Sequence, residues 1–340
     1  MEPWQDIMKE EMKQALAYDA ACDYEAWRER IRESFRKLTG LDKIEANAAD
    51  DAALSIESEE KKDGYTLTRF TFASEKGTRV PCYLVIPDTG KDSYPTVITL
   101  QGHSTGFHNS VGIVKFEKDA DYQPRGAFAL QAVKHGYAAL CIEQRGMGER
   151  RPTEKNRGGA NCNFTVLRSL MMGRTVLGER VFDISRGIDI LSHFPKCDIS
   201  RLAVTGNSGG GTATYYAACY DERIRFAVPS CAFCTYKASI LDMSHCSCNY
   251  IPSAYEYFEM QDLACLIAPR SLTVVAGVED PIFPIAGVRE GFETVKAIYE
   301  KAGAPDRCHM VVTPKDHWWC EDIIWDTVDR LVKGDGEDRF

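Results

Sequence analysis

Two features that would indicate a membrane or a nucleic acid as partner are missing from this sequence. It contains no run of about 18 apolar residues, the length that a membrane-spanning helix needs. It has no long basic run, and its 41 basic and 50 acidic side chains leave a net charge of −9, which argues against nucleic acid and anionic membranes. The opening MEPWQDIMKEEMK lacks a basic start followed by an apolar core, so the sequence predicts no secretory signal and a cytoplasmic location.

A disulfide framework is also absent, although cysteine itself is abundant. The thirteen cysteines are odd in number and are not spaced as in a small disulfide scaffold. Several lie within apolar runs, for example Cys82, Cys141 and Cys308. We therefore expect reduced, mostly buried thiols. Repeats, low-complexity tracts and interdomain linkers are missing as well, and the 44% of hydrophobic residues can build one sizeable core.

Residues 1–45 predict a helical extension in front of the main domain. The segment is polar and rich in helix-favouring residues, and its apolar side chains recur at helical spacing. We expect two helices that end near Gly40 and pack on the main body. Their apolar faces consist of Trp4, Ile7, Met8 and Met12 in the first helix and of Trp27, Ile31 and Phe35 in the second.

Residues 46–340 predict one α/β domain, because short apolar strands alternate with helices of 10–20 residues. The predicted strands are 65–74, 79–87, 96–100, 137–142, 201–205, 224–229, 271–276 and 308–313. The predicted helices are 124–135, 175–194, 209–220, 286–302 and 320–333. This alternation favours a mostly parallel central sheet with helices on both faces and an antiparallel first strand pair. Two insertions, 144–173 and 231–268, fall at strand ends, where such sheets bind ligands.

The run RLAVTGNSGGGTATYYAA carries the most specific signal. It places Ser208 between a strand and a helix rich in small residues, in the pattern G-x-S-x-G of a nucleophile elbow. The helix start offers free N–H groups to a developing oxyanion, and the N–H of Gly209 is the first candidate donor. The alternative is an ordinary glycine-rich turn that binds phosphate, but the run lacks the lysine of a P-loop and is not G-x-G-x-x-G.

A serine nucleophile needs a base and an acid, which follow it along the chain in this arrangement. His317 lies in a loop after the last predicted strand, whereas His309 lies within that strand, so His317 is the predicted base. Glu279 and Asp280 both follow the preceding strand. We favour Asp280 as the acid, because Pro281 directly after it restricts the turn; the alternative is a carboxylate pair that caps the next helix.

Several blocks together resemble the α/β-hydrolases of the acetyl xylan esterase and dienelactone hydrolase-like group, over roughly residues 60–335. These blocks read LQGH, EQRGMGER, GNSGGG, GVEDPIFP and DHWW. The resemblance implies the α/β-hydrolase fold with Ser208, Asp280 and His317 as the triad. It also implies a second oxyanion N–H from the loop after strand 96–100, for which His103 and Ser104 are the candidates.

The chain departs from the acetyl xylan esterase pattern at two positions. Met147 and Gly209 stand where that subgroup has glutamine, in the Arg-Gly-Gln-Gly block and after the serine. Arg145 of the same block is expected to be structural and to pair with a carboxylate near the site. The resemblance implies hydrolysis of a small acyl ester, such as acetyl, on a carbohydrate-like alcohol, without a cofactor. The alternatives are a dienelactone hydrolase-like enzyme, a peptidase and a non-catalytic ligand-binding protein; a homo-oligomer is left open.

The insertion 231–268 is expected to form a cap over the pocket. Its candidate lining residues are Tyr236, His245 and Tyr250, because aromatic side chains suit a sugar face or an acyl group, although they equally suit plain packing. A zinc site is the competing interpretation of the same segment. Its ligands would be Cys231, Cys234, His245, Cys246 and Cys248. Because reduced cysteines occur throughout the chain, we expect no stoichiometric zinc.

Overall fold

The computed structural model describes residues 3–152 and 162–334, and a nine-stranded sheet forms the centre of this part. The strands are β1 Ser55–Lys62, β2 Tyr65–Phe72, β3 Val80–Pro87, β4 Tyr94–Leu100, β5 Ala138–Ile142, β6 Cys197–Asn207, β7 Phe226–Ser230, β8 Ser271–Gly277 and β9 Cys308–Thr313. Their order in the sheet is β1-β2-β3-β5-β4-β6-β7-β8-β9. The pairs from β1 to β5 are antiparallel, and all pairs from β5 to β9 are parallel. The predicted mostly parallel sheet with an antiparallel first pair is confirmed.

The helices cover both faces of this sheet, as the alternation predicts. They are α1 Pro3–Glu11, α2 Tyr24–Thr39, α3 Leu41–Glu45, α4 Phe128–Lys134, α5 Cys162–Met171, α6 Val176–Leu191, α7 Gly209–Tyr220, α8 Ala254–Tyr257, α9 Ile285–Lys301 and α10 Glu321–Lys333. Side chains of α2, α6, α7 and α9 form one apolar layer, and those of α4 and α10 form another. Neighbouring strand residues such as Val274 and Val275 divide between the two layers. The central strands are therefore buried on both faces.

Strand β1 is absent from the sequence prediction for a physical reason. Its sequence is SIESEEKK and every side chain is exposed, so no apolar alternation marks it. It pairs only with β2 and forms the edge of the sheet. Charged side chains on an edge strand discourage pairing with another chain. Backbone hydrogen bonding, which the hydrophobic pattern does not report, holds this strand in place.

The N-terminal helices match the prediction only in part. In α2, Asp23 caps the N-terminus, Trp27, Ile31 and Phe35 are buried, and Gly40 ends the helix at a φ of 75°. The apolar face predicted for the first helix is wrong, because Trp4, Ile7 and Met8 of α1 are exposed. Helix α1 instead makes polar contacts: Lys9 forms an ion pair with Asp242, and its carbonyl accepts from the Tyr255 hydroxyl.

Much of the insertion 231–268 is core rather than cap, which corrects the sequence prediction. Helix α8 and the following 3₁₀ turn Met260–Leu266 pack with α2, α7 and α9 in the larger apolar layer. Phe258, for example, is completely buried. Part of the other insertion, residues 153–161, lies outside the described residues. Within the described residues, no helix has the length and apolar character to cross a membrane.

Candidate active site

Ser208 lies on a strained turn between β6 and α7. Its φ of 55° and ψ of −123° fall in a region that non-glycine residues seldom adopt. Glycines allow the turn to approach β4 closely: a Cβ on Gly206 would lie 2.5 Å from the carbonyl oxygen of Leu100, and a Cβ on Gly210 would collide with the same oxygen. The glycines of the motif are therefore a steric requirement of this turn.

Backbone contacts hold the serine in place. The Ser208 N–H donates to the Ser230 carbonyl at the end of β7 at 2.9 Å, and the Ser208 carbonyl accepts from Thr212 N–H at 2.8 Å. The first N–H groups of α7, beginning with Gly209, have no acceptor within the helix because of their position. An anion beside Ser208 would meet these donors and the positive end of the helix dipole.

His317 and Asp280 form a hydrogen-bonded pair at the ends of β9 and β8. His317 Nδ1 lies 2.8 Å from one Asp280 carboxylate oxygen, and the other oxygen accepts from the N–H groups of Ile282 and Phe283, both at 3.0 Å. Burial alone would raise the pKa of Asp280, but the His317 contact and the two N–H donors hold it below its ordinary value. The carboxylate is therefore ionised and orients the His317 imidazole. This ring also stacks on Phe283, with 5.9 Å between the ring centroids.

The alternative residues do not take these positions. Glu279 is exposed, and its backbone N–H donates to the Lys315 carbonyl. His309 lies within β9 and is also exposed. The turn directs Asp280 alone toward the imidazole, as the sequence prediction expects for that pair.

Cys231 connects the serine to the histidine pair. It directly follows Ser230, whose carbonyl accepts from Ser208, and its Sγ lies within 4.8 Å of a His317 ring nitrogen and an Asp280 oxygen. His317 Nε2 is buried and has no hydrogen-bond partner among the described residues. No hydrogen bond joins it to Ser208 Oγ in this part of the chain, and such contacts often tighten only when substrate binds.

The loop after β4 packs directly on the serine. A Cβ on Gly102 would lie 2.7 Å from the Asn207 carbonyl oxygen and 3.1 Å from Ser208 Cβ. Of the two candidate donors in this loop, Ser104 already donates its backbone N–H to the Gly102 carbonyl at 2.8 Å. The ring of His103 lies against Gly209. Of these two candidates, the geometry therefore favours the backbone N–H of His103 as the second oxyanion donor.

The three predicted pocket residues occupy different environments. Tyr236 is a core residue, fully buried with its hydroxyl 2.7 Å from that of Tyr216, which corrects its assignment to the pocket. His245 lies near His317, because both rings contact Phe283. The ring centroids of His245 and Phe283 are 5.2 Å apart, and His245 Nε2 lies 3.0 Å from Ser239 Oγ. Tyr250 is partly exposed and lines a surface depression between α1 and residues 240–244.

The zinc ligands proposed from sequence are not brought together as one set. Cys231 lies beside Asp280, and Cys234 Sγ contacts the Pro284 carbonyl. Cys246 and Cys248 instead group with Cys162 and with His103 of the loop after β4. Sequence reasoning missed this grouping, because Cys162 and His103 lie far from the other two in the chain. All thirteen cysteines are free, and nine of them are buried.

Arg145 belongs to a buried ionic network, as expected for a structural role. Its guanidinium donates to both oxygens of Asp183 at 2.8 Å and to Glu75 at 2.6 Å. Arg150 also contacts Asp183 at 2.6 Å, and Arg174 contacts Glu75 at 2.6 Å. Burial disfavours the Asp183 carboxylate, but the adjacent guanidinium groups still lower its pKa. The network ties the loop after β5 to α6.

Arg145→Met should destabilise the protein by about 3–5 kcal/mol, because it leaves buried carboxylates without sufficient positive charge. Urea unfolding followed by circular dichroism measures this loss. The matched control is Arg32→Met, which removes surface ion pairs with the exposed Glu29 and Glu222 and should cost less than about 1 kcal/mol. Equal stability losses in the two variants would contradict a structural role for the Arg145 network.

A mostly parallel sheet, a serine on a strand-to-helix turn and a His–Asp pair at the ends of the following strands define the α/β-hydrolase class. The chain belongs to the Abhydrolase family, whose model matches residues 5–340. It is 28% identical over 287 residues to YtaP of Bacillus subtilis (strain 168), a protein named as a hydrolase; the match covers 84% of this chain and 91% of that protein.

Solved structures show the same fold at low sequence identity. A Bacteroides fragilis NCTC 9343 protein described as an acetyl xylan esterase has a TM-score of 0.75 and 18% identity; the match covers 98% of this chain and 89% of that one. A glucuronoyl esterase from Solibacter usitatus has a TM-score of 0.68 and 16% identity, with 95% and 97% covered. The chain is thus an α/β-hydrolase by its family and by its fold.

Proposed function

We propose that this protein is a serine hydrolase that cleaves carboxylic esters through an acyl-enzyme. The observation that carries the proposal is the orientation of His317. Asp280 holds its Nδ1, and its Nε2 is buried without a partner, close to the strand end that binds the Ser208 backbone. A ring nitrogen in this state is suited to accept the serine proton.

The reaction follows from this geometry in two halves. Ser208 Oγ attacks the ester carbonyl while His317 Nε2 takes its proton, and the N–H groups of Gly209 and His103 bind the oxyanion. Asp280 stays ionised and stabilises the imidazolium. The imidazolium then protonates the leaving alcohol, which departs and leaves the acyl group on Ser208. A water molecule, deprotonated by His317, releases the acid in the second half, and the serine recovers its proton. The protein groups in this scheme are Ser208, His317, Asp280 and the two backbone N–H groups.

The substrate we propose is a small acyl ester, such as acetyl, on a carbohydrate-like alcohol. Its support is the resemblance of the sequence blocks to acetyl xylan esterases and the likeness of the fold to proteins described as acetyl xylan and glucuronoyl esterases. A dienelactone hydrolase-like enzyme typically has cysteine at the elbow, where this chain has Ser208. A purely binding protein would have no need of the ordered His317–Asp280 pair. A peptidase would use the same groups, so substrate tests distinguish it.

A panel of substrates tests this proposal. We expect the highest kcat/KM for p-nitrophenyl acetate among p-nitrophenyl esters of rising acyl length, release of acetate from acetylated xylo-oligosaccharides, and no cleavage of peptide p-nitroanilides. A methyl glucuronate ester serves as the competing carbohydrate ester. A preference for long acyl chains or for peptides would contradict the substrate class, and turnover no greater than that of Ser208→Ala would contradict the enzyme assignment.

A further inference from the structure

Four side chains of metal-ligating types form a compact group at the loop after β4. His103 Nε2 and the Sγ atoms of Cys162, Cys246 and Cys248 all lie within 4.8 Å of one another. The Cys248 Sγ is 3.2 Å from His103 Nε2 and 3.4 Å from the Cys246 Sγ. We call these four residues the Cys₃His cluster.

These separations are close to those of a tetrahedral zinc site. Bond lengths of about 2.3 Å to sulfur and about 2.0–2.1 Å to nitrogen place tetrahedral ligand atoms about 3.8 Å apart for two sulfurs and about 3.6 Å apart for sulfur and nitrogen. The distances from Cys248 Sγ to His103 Nε2 and to Cys246 Sγ are shorter than these values by only a few tenths of an ångström. A zinc ion therefore requires a small outward shift of the ligand atoms and no change of fold.

The charge around the cluster also fits a metal–thiolate centre. Arg180 on α6 is buried, and its guanidinium donates to Cys162 Sγ at 3.1 Å and to the Arg145 carbonyl at 2.7 Å. Among the described residues, no carboxylate forms an ion pair with it. A buried cation needs a counter-charge. One zinc ion with three thiolates and a neutral imidazole carries a charge of −1, which balances Arg180.

The surroundings limit the access of water to two of the four ligands, whereas His103 and Cys246 are half-buried. Cys162 and Cys248 are buried, and they pack with Met147, Val166 and Val176 in a small apolar cluster of their own. An apolar shell of this kind surrounds many metal centres and limits solvent access. Because the four ligands come from the loop after β4, the start of α5 and the turn at 246–248, a shared ion would connect three separate segments.

We propose that the Cys₃His cluster binds one Zn²⁺ as a closed, structural site. Thiolate and imidazole ligands favour zinc over magnesium or calcium, and four protein ligands leave no coordination position for a substrate. This ligand set differs from the one considered from sequence, since Cys231, Cys234 and His245 have other contacts. It also replaces the sequence expectation that the protein holds no stoichiometric zinc.

The zinc site would position the loop after β4, which contains the proposed oxyanion donor His103. His103 Nε2 faces the three sulfurs, while its Nδ1 and Cε1 edge lies against Gly209: a Cβ on that glycine would be 2.9 Å and 2.8 Å from these two atoms. Zinc at Nε2 would fix the ring and its backbone, and it would leave Nδ1 as the protonated nitrogen beside the elbow. This consequence rests on the proposed function, whereas zinc binding itself does not.

Metal content of the full chain tests the proposal. Protein expressed in zinc-supplemented medium and purified without chelator should contain about one zinc per chain, measured by plasma mass spectrometry. Cys246→Ser and Cys248→Ser should each lower this content severalfold. The matched control is Cys22→Ser, a partly buried cysteine on the N-terminal segment, which should retain the zinc of the wild type.

Cobalt replacement of the wild-type metal gives a test that does not depend on folding of the variants. After chelation, added Co²⁺ should produce the intense visible and ultraviolet bands of tetrahedral thiolate coordination. The proposal would be overturned if the purified protein contains no zinc, remains folded and gives no such bands with Co²⁺. A disulfide among Cys162, Cys246 and Cys248 would also overturn it, because these thiols would then be oxidised rather than bound to a metal. Zinc without esterase activity would reject only the proposed function, and esterase activity without zinc would reject only this site.

Discussion

Replacement of Ser208 by alanine should lower kcat for an activated acetyl ester by about 10³-fold or more, because the attacking oxygen is lost. Stability should change little. Alanine and serine have the same Cβ, so the strain of the positive φ at this position is present in both proteins. The measurements are steady-state kinetics and the melting temperature of each protein.

Ser253→Ala is the matched control for this variant. Ser253 also has a positive φ, of 60°, but it is exposed and lies outside the site, so wild-type kinetics are expected. A serine-directed fluorophosphonate should label Ser208 in the wild type and give no adduct in Ser208→Ala. Near-normal turnover in a folded Ser208→Ala protein, or an adduct mapped to Cys246 or Cys248, would show that the nucleophile is elsewhere.

The second large effect concerns the His317–Asp280 pair. His317→Ala should lower kcat nearly as much as Ser208→Ala, and the double variant should be little worse, because the residues act as a unit. Asp280→Asn should cost somewhat less, since the imidazole loses its orienting charge but keeps its stacking on Phe283. Kinetics of all four variants on one activated acetyl ester measure these differences.

Glu279→Gln and His309→Ala are the controls, because both side chains are exposed and, among the described residues, neither forms a hydrogen bond with the pair. Both should retain near-wild-type kcat. Because the pKa of Asp280 lies below its ordinary value, this carboxylate stays ionised at neutral pH and keeps its contact with His317. A larger loss in Glu279→Gln than in Asp280→Asn would move the acid to the neighbouring residue.

Local sequence was sufficient for the elements closest to the chemistry. Helix α7 and strand β9 begin and end where the sequence predicts, and Ser208 lies on the predicted turn. Apolar residues follow one another in the strands, and the turn at Ser208 requires glycines sterically. Residues close together in the chain are therefore sufficient to predict these segments. The order of serine, acid and base along the chain then restricted Asp280 and His317 to two short loops.

Local sequence was misleading where solvent exposure or packing against distant residues determines the secondary structure or the burial of a segment. The charged edge strand β1 has no hydrophobic pattern, the apolar residues of α1 remain exposed, and Tyr236 of the expected cap is part of the core. The pattern of apolar residues records that a face can be buried, but it does not record which partner buries it. For α1 the partner lies far away in the chain, since Lys9 forms an ion pair with Asp242.

The sequence by itself determined the α/β class, the strand-to-helix turn at Ser208 and the two short loops that contain Asp280 and His317, because each depends on residues adjacent in the chain. Only the tertiary structure decided that Asp280 rather than Glu279 faces His317, and that Ser104 already uses its N–H. It alone grouped His103 with Cys162, Cys246 and Cys248. Buried cysteines pack like small apolar residues, so their sequence pattern is the same whether they bind a metal or only fill the core.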